Sequence, residues 1–596
     1  IPLDAIAGLD RHLHDTLQRF DEVERIAVRS MTGEVLAEAA RDDLRPAQGR
    51  FRPMDALARE RTFFVLPVLA GNEQVGDIVV DADARFVQTR LRAVFLDVLV
   101  VALVASVIAV ELALALVRES VGRPLDRVMT LLREQRQGVF AHVAAVGGLG
   151  GLGRATARFS DHALDLAGRL GRHPPSARPA LAARAGIRAG EGLRVLRLSD
   201  MADIRLALFF FSVGTEIATA FLPIYARNAA RPAWMSAELA AALPLLVYLF
   251  AVALVSTFAG GLARRIGPRR VFVSVLLPCA VALIGMGVSD TLIGITAWRS
   301  VLAVCYALGT VACQEYALGA AADEGRASPI GVTVTAIFGG VFCGSALGGL
   351  LAERLGFLSA FATGAGIVLL SALPALLSMR GEAGDRAAEH TRMWPGSSWK
   401  PERWHRWRLG VLLFAVAVPA NATTAIVVWY LGPLLLADLG SGPAEIARVV
   451  MLYYLAVMLV GGAASRLSDR RAGPLPLVAG GALLAAAGVL HIAAYADFWA
   501  SVAGFACLGI GHAMLRAPMH ALALQIGGGG NGVLSLMRLG ERAGALVGLL
   551  ASALLLGPAG VADSVAWVGG TVLFGALVCA TVESISRYRS RHAQSS

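Results

Sequence analysis

The sequence predicts an all-α polytopic membrane protein made of two six-helix halves, preceded by a small α/β domain. Three observations predict it. Isolated apolar runs of about 20 residues, the length a helix needs to cross hydrocarbon, recur along the chain. Twelve of them form two sets of six, and the second set echoes the first: Gly309 recurs as Gly509, and Gly340, Gly344 and Gly348 recur as Gly540, Gly544 and Gly548. Gly260 and Gly261 likewise recur as Gly461 and Gly462. Arginines cluster in the short turns between runs, the charge pattern of membrane proteins whose basic loops face the cytoplasm.

Composition agrees. The chain is 56% hydrophobic and only 16% charged over 596 residues. A net charge of +10 does not imply nucleic acid here, because the basic residues lie at span ends rather than on one patch. Lys400 is the one lysine, and no function follows from that bias. Cys279, Cys305, Cys313, Cys343, Cys507 and Cys579 all fall inside apolar runs without ligand spacing, so they read as packing residues rather than a disulfide or zinc framework.

Residues 1–92 alternate polar and apolar. A helical start over 7–20 precedes strand-like runs at 26–28, 35–36, 63–69 and 75–80, the last two forming a hairpin. The order resembles extracytoplasmic PAS-like sensor domains. Residues 93–117 form one span. They lead to Gly122-Arg123-Pro124-Leu125-Asp126, a 3.5-residue pattern through Val128, Leu131 and Leu132, then Gly150-Gly151-Leu152-Gly153 and Phe159-Ser160. Region 118–170 resembles a HAMP linker, with Gly150 and Gly151 replacing that family's acidic pair and Ser160 its Asn. The resemblance implies a parallel homodimer through this region. Residues 171–204, rich in Pro, Ala and Arg, read as a linker.

The first half (205–379) has spans at 205–226, 237–263, 271–289, 292–319, 331–352 and 357–379. A basic loop with four tryptophans fills 380–408. The second half (409–585) has spans at 409–431, 446–465, 475–495, 498–525, 533–556 and 565–582, before an arginine-rich tail at 586–596. Positive-inside counting puts the basic loops in the cytoplasm of a bacterial inner membrane and residues 1–92 in the periplasm or outside the cell. The chain begins at Ile1, and a periplasmic start implies an upstream anchor or signal segment.

Motifs sharpen the reading. Gly260-Gly261-Leu262-Ala263-Arg264-Arg265-Ile266-Gly267-Pro268-Arg269-Arg270 resembles the loop signature of the major facilitator superfamily, with Arg264 where that signature has Asp. The matching loop of the second half, Leu467-Ser468-Asp469-Arg470-Arg471, keeps an acid. The resemblance implies a cytoplasmic gate at Arg264, Arg265, Arg269, Arg270, Asp469 and Arg470, carried mainly by the second half. Gly340, Gly344, Gly348 and Gly349 resemble the superfamily's antiporter motif, with Ser345 in place of Pro. Small residues every four positions also let helix backbones touch whatever the transport direction.

An ionisable group at a span centre costs about 2.5–3.5 kcal/mol, so each one needs a reason. Glu216 lies eleven residues into its span, roughly 16 Å deep at 1.5 Å per residue. Glu541 lies at similar depth in the eleventh span. Glu216 is the expected proton-handling group, with Glu541 in a charged gate or substrate site. Arg299 resembles the arginine of the superfamily's Arg-x-x-x-Gly signature, with Ala303 in place of the glycine, and the resemblance implies that it joins Glu216 and Glu541 as the proton-coupling set. Arg538 is placed to reach Glu541 along one helix face. Gln314, Asn421, Tyr430, His512, Arg516, Arg538 and Arg542 are the expected cavity set, with Glu315 beside Gln314 a weaker candidate. No phosphate-binding loop, zinc spacing or nucleophile elbow is present in the sequence, so no enzyme activity, cofactor or metal is expected. The expected partners are a small solute, protons and the lipid bilayer, with no nucleic acid. The resemblance implies proton-coupled export by alternating access. A solute-sensing receptor that signals through the HAMP-like region is the rival.

Overall fold

The computed structural model describes residues 9–19, 23–40, 63–70, 73–82, 84–140, 142–144, 151–174, 176–184, 194–196, 200–321, 329–379, 403–468, 473–527 and 531–595. The chain divides into two units, 1–102 and 103–596, each considered by itself.

The first unit is a helix on a sheet. In α1 (Leu9–Arg19), Leu13 and Leu17 stand one turn apart and so share a face. That face buries against Ile26, Val28, Ala37 and Ala39. β1 (Val23–Ser30), β2 (Val35–Ala40), β3 (Phe63–Ala70) and β4 (Glu73–Ala82) form an antiparallel sheet in the order β2-β1-β4-β3. The expected hairpin is the β3–β4 pair, in register from Phe63 opposite Asp81 to Ala70 opposite Glu73. Helix α2 (Ala84–Val117) contains the boundary between the units.

In the second unit a π-helical turn, Arg118–Gly122, leads into α3 (Arg123–Arg136). Pro124 sits in its first turn, where a missing N–H leaves no bond unmade. After α3, β5 (His142–Val143) pairs in parallel with β6 (Arg194–Val195), and α4 (Gly151–Gly171) packs beside α3. Leu131, Ala144 and Leu196 form a small core with Phe159 against it. The Ser160 hydroxyl accepts from the Ala144 amide at 3.0 Å, and Gln135 donates to the Phe159 carbonyl at 2.8 Å, so Phe159-Ser160 pins the connector. A short α5 (Arg178–Arg184) follows.

The rest is a polytopic helical body. Among the described residues of the whole chain, 11 helices are long and apolar enough to cross a membrane. The first half comprises α6 (Arg205–Thr215), α7 (Leu222–Asn228), α8 (Ala237–Ile266), α9 (Pro268–Gly287), α10 (Leu292–Ala321), α11 (Pro329–Leu355), α12 (Phe357–Leu370) and α13 (Ala372–Ser378). The second comprises α14 (Arg403–Leu412), α15 (Val418–Thr423), α16 (Gly432–Asp438), α17 (Pro443–Ser468), α18 (Leu475–Tyr495), α19 (Phe498–Gly527) and α20 (Asn531–Ser595).

Two predicted spans are corrected. The first is not continuous: it stops at Thr215 and restarts at Leu222. The seventh starts earlier and ends later than 409–431, and π-helical turns at Leu413–Ala417 and Thr424–Leu431 interrupt it. Pro419 and Pro433, which lack an N–H for the ladder, follow in the first turn of α15 and α16. The last two spans are two helices, as expected, that meet at a kink at Gly560 (φ 74°), a left-handed value that favours glycine, and the second continues helical into the basic tail.

The recurring glycines explain why the halves match. A Cβ on Gly340 would meet the Phe209 carbonyl at 2.8 Å, and on Gly344 and Gly348 it would collide with the carbonyls of Val213 and Ile217. The stripe on α11 therefore lies backbone to backbone against α6. In the second half the same three positions meet the seventh-span path: Gly540 faces Leu413, Gly544 faces Val418 and Gly548 faces Ala422. One packing solution is used twice, as small-residue helix contacts in membranes allow.

Helix α2 is tied to this body by charge. Glu111, 6% exposed in an apolar run, receives two bonds of 2.7 Å from Arg205 at the start of α6. Arg408, at the matching start of the second half, makes the same bidentate pair with Glu583 (2.9 and 2.6 Å). Nearby, Arg123 pairs with Asp203 at 2.7 Å, with Glu119, and with the Ser378 carbonyl at 3.1 Å. Asp203 also accepts from the Tyr316 hydroxyl of α10 at 3.0 Å. Burial pushes the Asp203 carboxyl up from its ordinary value, against the pull of Arg123.

The glycine stripe makes a sharp prediction. Gly348→Ala forces Cβ into a backbone carbonyl that cannot yield, and stability falls by about 1–3 kcal/mol. Gly366→Ala, where nothing lies within 4 Å, is tolerated. Thermal midpoints of the two variants in detergent check this.

Candidate functional site

The site begins where α6 stops. Pro223 in the first turn of α7 clashes with a helical carbonyl four residues back and has no N–H to offer, so the turn before it cannot be α-helical. Residues 216–221 form tight turns instead, with Thr219 N bonded to the Glu216 carbonyl at 3.2 Å and Phe221 N to that of Ala218 at 3.1 Å. Glu216 caps the broken end. A discontinuous helix inside a membrane body is tolerated where it lines a polar cavity.

The Glu216 carboxylate is 9% exposed and accepts two bonds, from Thr219 Oγ1 at 2.7 Å and from the Tyr248 hydroxyl of α8 at 3.2 Å. The Arg299 guanidinium of α10 lies 4.2 Å from the centre of the Tyr248 ring, a cation–π contact. Arg299 is 2% exposed, and its Nε and Nη1 have no hydrogen-bond partner. Tyr306 neighbours Tyr248 and stacks on Phe211 of α6.

The second half contributes a different chemistry. Tyr453 of α17, Thr424 of the π-helical turn, and His512 and Arg516 of α19 make one network. The Tyr453 hydroxyl is 3.0 Å from His512 Nδ1, and Arg516 donates to the hydroxyls of Thr424 (3.1 Å) and Tyr453 (3.2 Å). His512 is fully buried and its Nε2 is unpaired. Glu541 Oε1 is 3.4 Å from His520 Nε2, too poorly aimed for a hydrogen bond.

These two sets face each other. Arg516 sits 5.3 Å from the centre of the Phe338 ring of α11, Phe338 packs beside Tyr454, and Trp429 donates to the Tyr454 hydroxyl at 2.7 Å. Tyr454 interacts electrostatically with Glu216 and Arg516. Arg542 does so with Tyr306 and Tyr248 across the halves. Glu216, Arg299, Arg516, Glu541 and Arg542 thus belong to one electrostatic cluster between two bundles.

The two ends of the body differ. At the end away from the arginine-rich turns the halves are joined: Arg227 pairs with Asp438 at 2.7 Å, Tyr430 donates to the Glu238 carbonyl at 2.9 Å, and Glu353 accepts from the Ala444 amide at 2.8 Å. At the basic end Arg264 pairs with Glu315 of α10 at 2.7 Å. The acid missing from the loop motif is therefore supplied by the fourth span. Gly260 makes room for it, since a Cβ there would stand 2.8 Å from Glu315 Oε1. Arg269 donates to the Leu376 carbonyl at 3.0 Å, while Arg265 and Arg270 are exposed. Asp469 and Arg470 lie outside the described residues.

Other expected cavity residues scatter. Tyr430 belongs to the joined end, not the centre. Asn421 donates to the Ala417 carbonyl of its own helical path at 3.4 Å. Gln314 is half-buried beside Glu315. Arg538 is exposed and forms no ion pair with Glu541, correcting the expected contact. A lateral groove of about 1120 Å³ between 406–419 and 563–578 is lined by Phe414, Trp567 and Phe574 and holds none of these groups. Among the described residues no cluster of His, Cys, Asp or Glu could hold a metal. Residues missed by sequence reasoning are Thr219, Tyr248, Phe338, Thr424, Tyr453 and Tyr454, along with Glu111. Glu111 carried a readable signal, an acid inside an apolar run. The tyrosines did not, because tyrosine is ordinary in a span.

Residues 204–528 match the model of the Major Facilitator Superfamily. Among solved structures, the chain is similar to the POT family transporter PepTSo (12% identity, TM-score 0.50, covering 65% of this chain and 98% of that one). It is also similar to a point mutant of a peptide transporter, POT (13% identity, TM-score 0.52, covering 64% and 94%). Among curated proteins none matches.

The gate pair is testable. Arg264→Glu or Glu315→Arg alone brings like charges together, and the double exchange restores the pair. A double-mutant cycle on thermal stability is expected to yield a coupling of about 0.5–3 kcal/mol.

Proposed function

We propose that this chain, which belongs to the Major Facilitator Superfamily, is a secondary active transporter that moves a small organic or amphipathic solute by alternating access, coupled to proton movement at Glu216. The observation that carries this reading is the carboxylate at a broken helix, facing unpaired cationic groups of both halves. A buried carboxyl held by two hydroxyl donors can exchange a proton without losing its anchors. Because its neighbours include Tyr248 of one bundle and Tyr454 of the other, a change of its charge alters how the halves attract. The contacts at the Arg227–Asp438 end support a state closed on that side, and the positive-inside rule supports the basic end as cytoplasmic. Export is the proposed direction, on the strength of the glycine motif.

The front of the chain is proposed as a periplasmic sensor acting through a HAMP-like linker. Its contacts support regulation rather than a separate receptor. Arg123 at the start of α3 reaches Tyr316 through Asp203, and Tyr316 adjoins Glu315, the partner of Arg264. Movement of α3 therefore acts at the basic-end gate through two polar contacts.

Reconstituted into proteoliposomes, the protein is expected to drive solute flux from an imposed pH gradient. Glu216→Gln removes the pH-driven component while leaving exchange of solute for solute. Flux in Glu216→Gln that still follows the gradient sinks the proton assignment. Glu111→Gln, which breaks the bidentate contact to Arg205, is expected to change flux at least twofold. Identical flux in that variant and in a chain lacking residues 1–170 argues against regulation by the front.

A further inference from the structure

The charges between the two halves do not balance. Arg299, Arg516 and Arg542 share one electrostatic cluster with two carboxylates, Glu216 and Glu541, and exposed Arg538 adds a fourth positive charge at its edge. None of the four guanidiniums forms an ion pair among the described residues, although Arg227, Arg264 and Arg408 elsewhere in the body each have a carboxylate within 2.7 Å. Arg516 donates only to two neutral hydroxyls. Arg299 is buried with two nitrogens unpaired, and His512, fully buried, has a free Nε2. Uncompensated buried cations are costly, and buried polar atoms lacking partners are rare. Such a surplus persists where a ligand completes it.

We propose, resting on the transporter reading above, that the solute is an organic anion. Its acidic headgroup is held by Arg516 and Arg542, with Arg299 contributing charge from behind Tyr248, and its apolar body lies against Phe338 and Tyr454. Guanidinium matches a carboxylate, sulfonate or phosphonate through paired N–H donors, and its flat face tolerates the aromatic ring on which Arg516 already rests. A cationic solute finds two carboxylates here. Glu216 is already occupied by Thr219 and Tyr248, and Glu541 sits among three arginines and His520.

The test uses three probes of one shape: 2-naphthoate, 2-naphthamide and 2-naphthylmethylammonium, each with the purified full-length chain in detergent. Equilibrium dialysis is expected to find naphthoate bound at least about tenfold more tightly than either analogue, the worth of one charge-assisted hydrogen bond. Arg516→Gln and Arg542→Gln each weaken naphthoate about tenfold and leave the other two probes unchanged, whereas Arg516→Lys restores part of the preference. Monodisperse elution and an unshifted thermal midpoint of the free variants separate lost binding from lost folding. Tightest binding of the ammonium probe, or no preference among the three, overturns the anion assignment while leaving transport intact. Naphthoate that binds but never crosses proteoliposomes overturns the transporter reading and leaves the anion site standing.

Discussion

Charge inside hydrocarbon is the constraint on which this molecule is organised. Each ionised side chain between apolar helices must find a partner, reach water or wait for a ligand. Outside the centre, the body meets this demand with bidentate or close ion pairs, Arg205 with Glu111, Arg408 with Glu583, Arg264 with Glu315 and Arg227 with Asp438. At the centre it does not. There Arg299 keeps two buried nitrogens and His512 one without a partner, and Arg516 donates to neutral hydroxyls rather than to a carboxylate.

The two halves share a scaffold but not a chemistry. Glycine stripes at matching positions press α11 onto α6 and α20 onto the α14–α15 path, fixing each pair of helices at backbone contact. Both first helices of the halves depart from regular α-geometry, one by a break before Pro223 and the other by π-helical turns around Pro419. On that common frame the first half presents Glu216 with its hydroxyl donors and the Arg299 guanidinium. The second presents Arg516, Arg542, the His512 imidazole, hydroxyls and Glu541. The difference gives the interface a polarity that two identical halves would lack.

Within the second unit, polar contacts also join the end of α2 and the start of α3 to the helical body. Glu111 of α2 is buried on Arg205, and Arg123 of α3 pairs with Asp203.

The amino-acid sequence by itself determined the polytopic class, the six-plus-six repeat and the strands of the first unit, and it singled out Glu216, because apolar run length, glycine recurrence and an acid in a span are local signals. It also pointed to Arg299, Arg516, His512 and Arg542, though not to how they meet. Only the tertiary structure decided that Glu315 replaces the acid missing beside Arg264, that Tyr430 belongs to the joined end, and that exposed Arg538 makes no close ion pair with Glu541. It alone decided that Tyr248 joins Glu216 to Arg299. These pairings link residues tens to hundreds of positions apart, and their energy depends on distances of a few ångströms in low dielectric. Sequence periodicity gives the face and depth of a side chain on its own helix, but the angle and register at which two helices cross decide which charges touch.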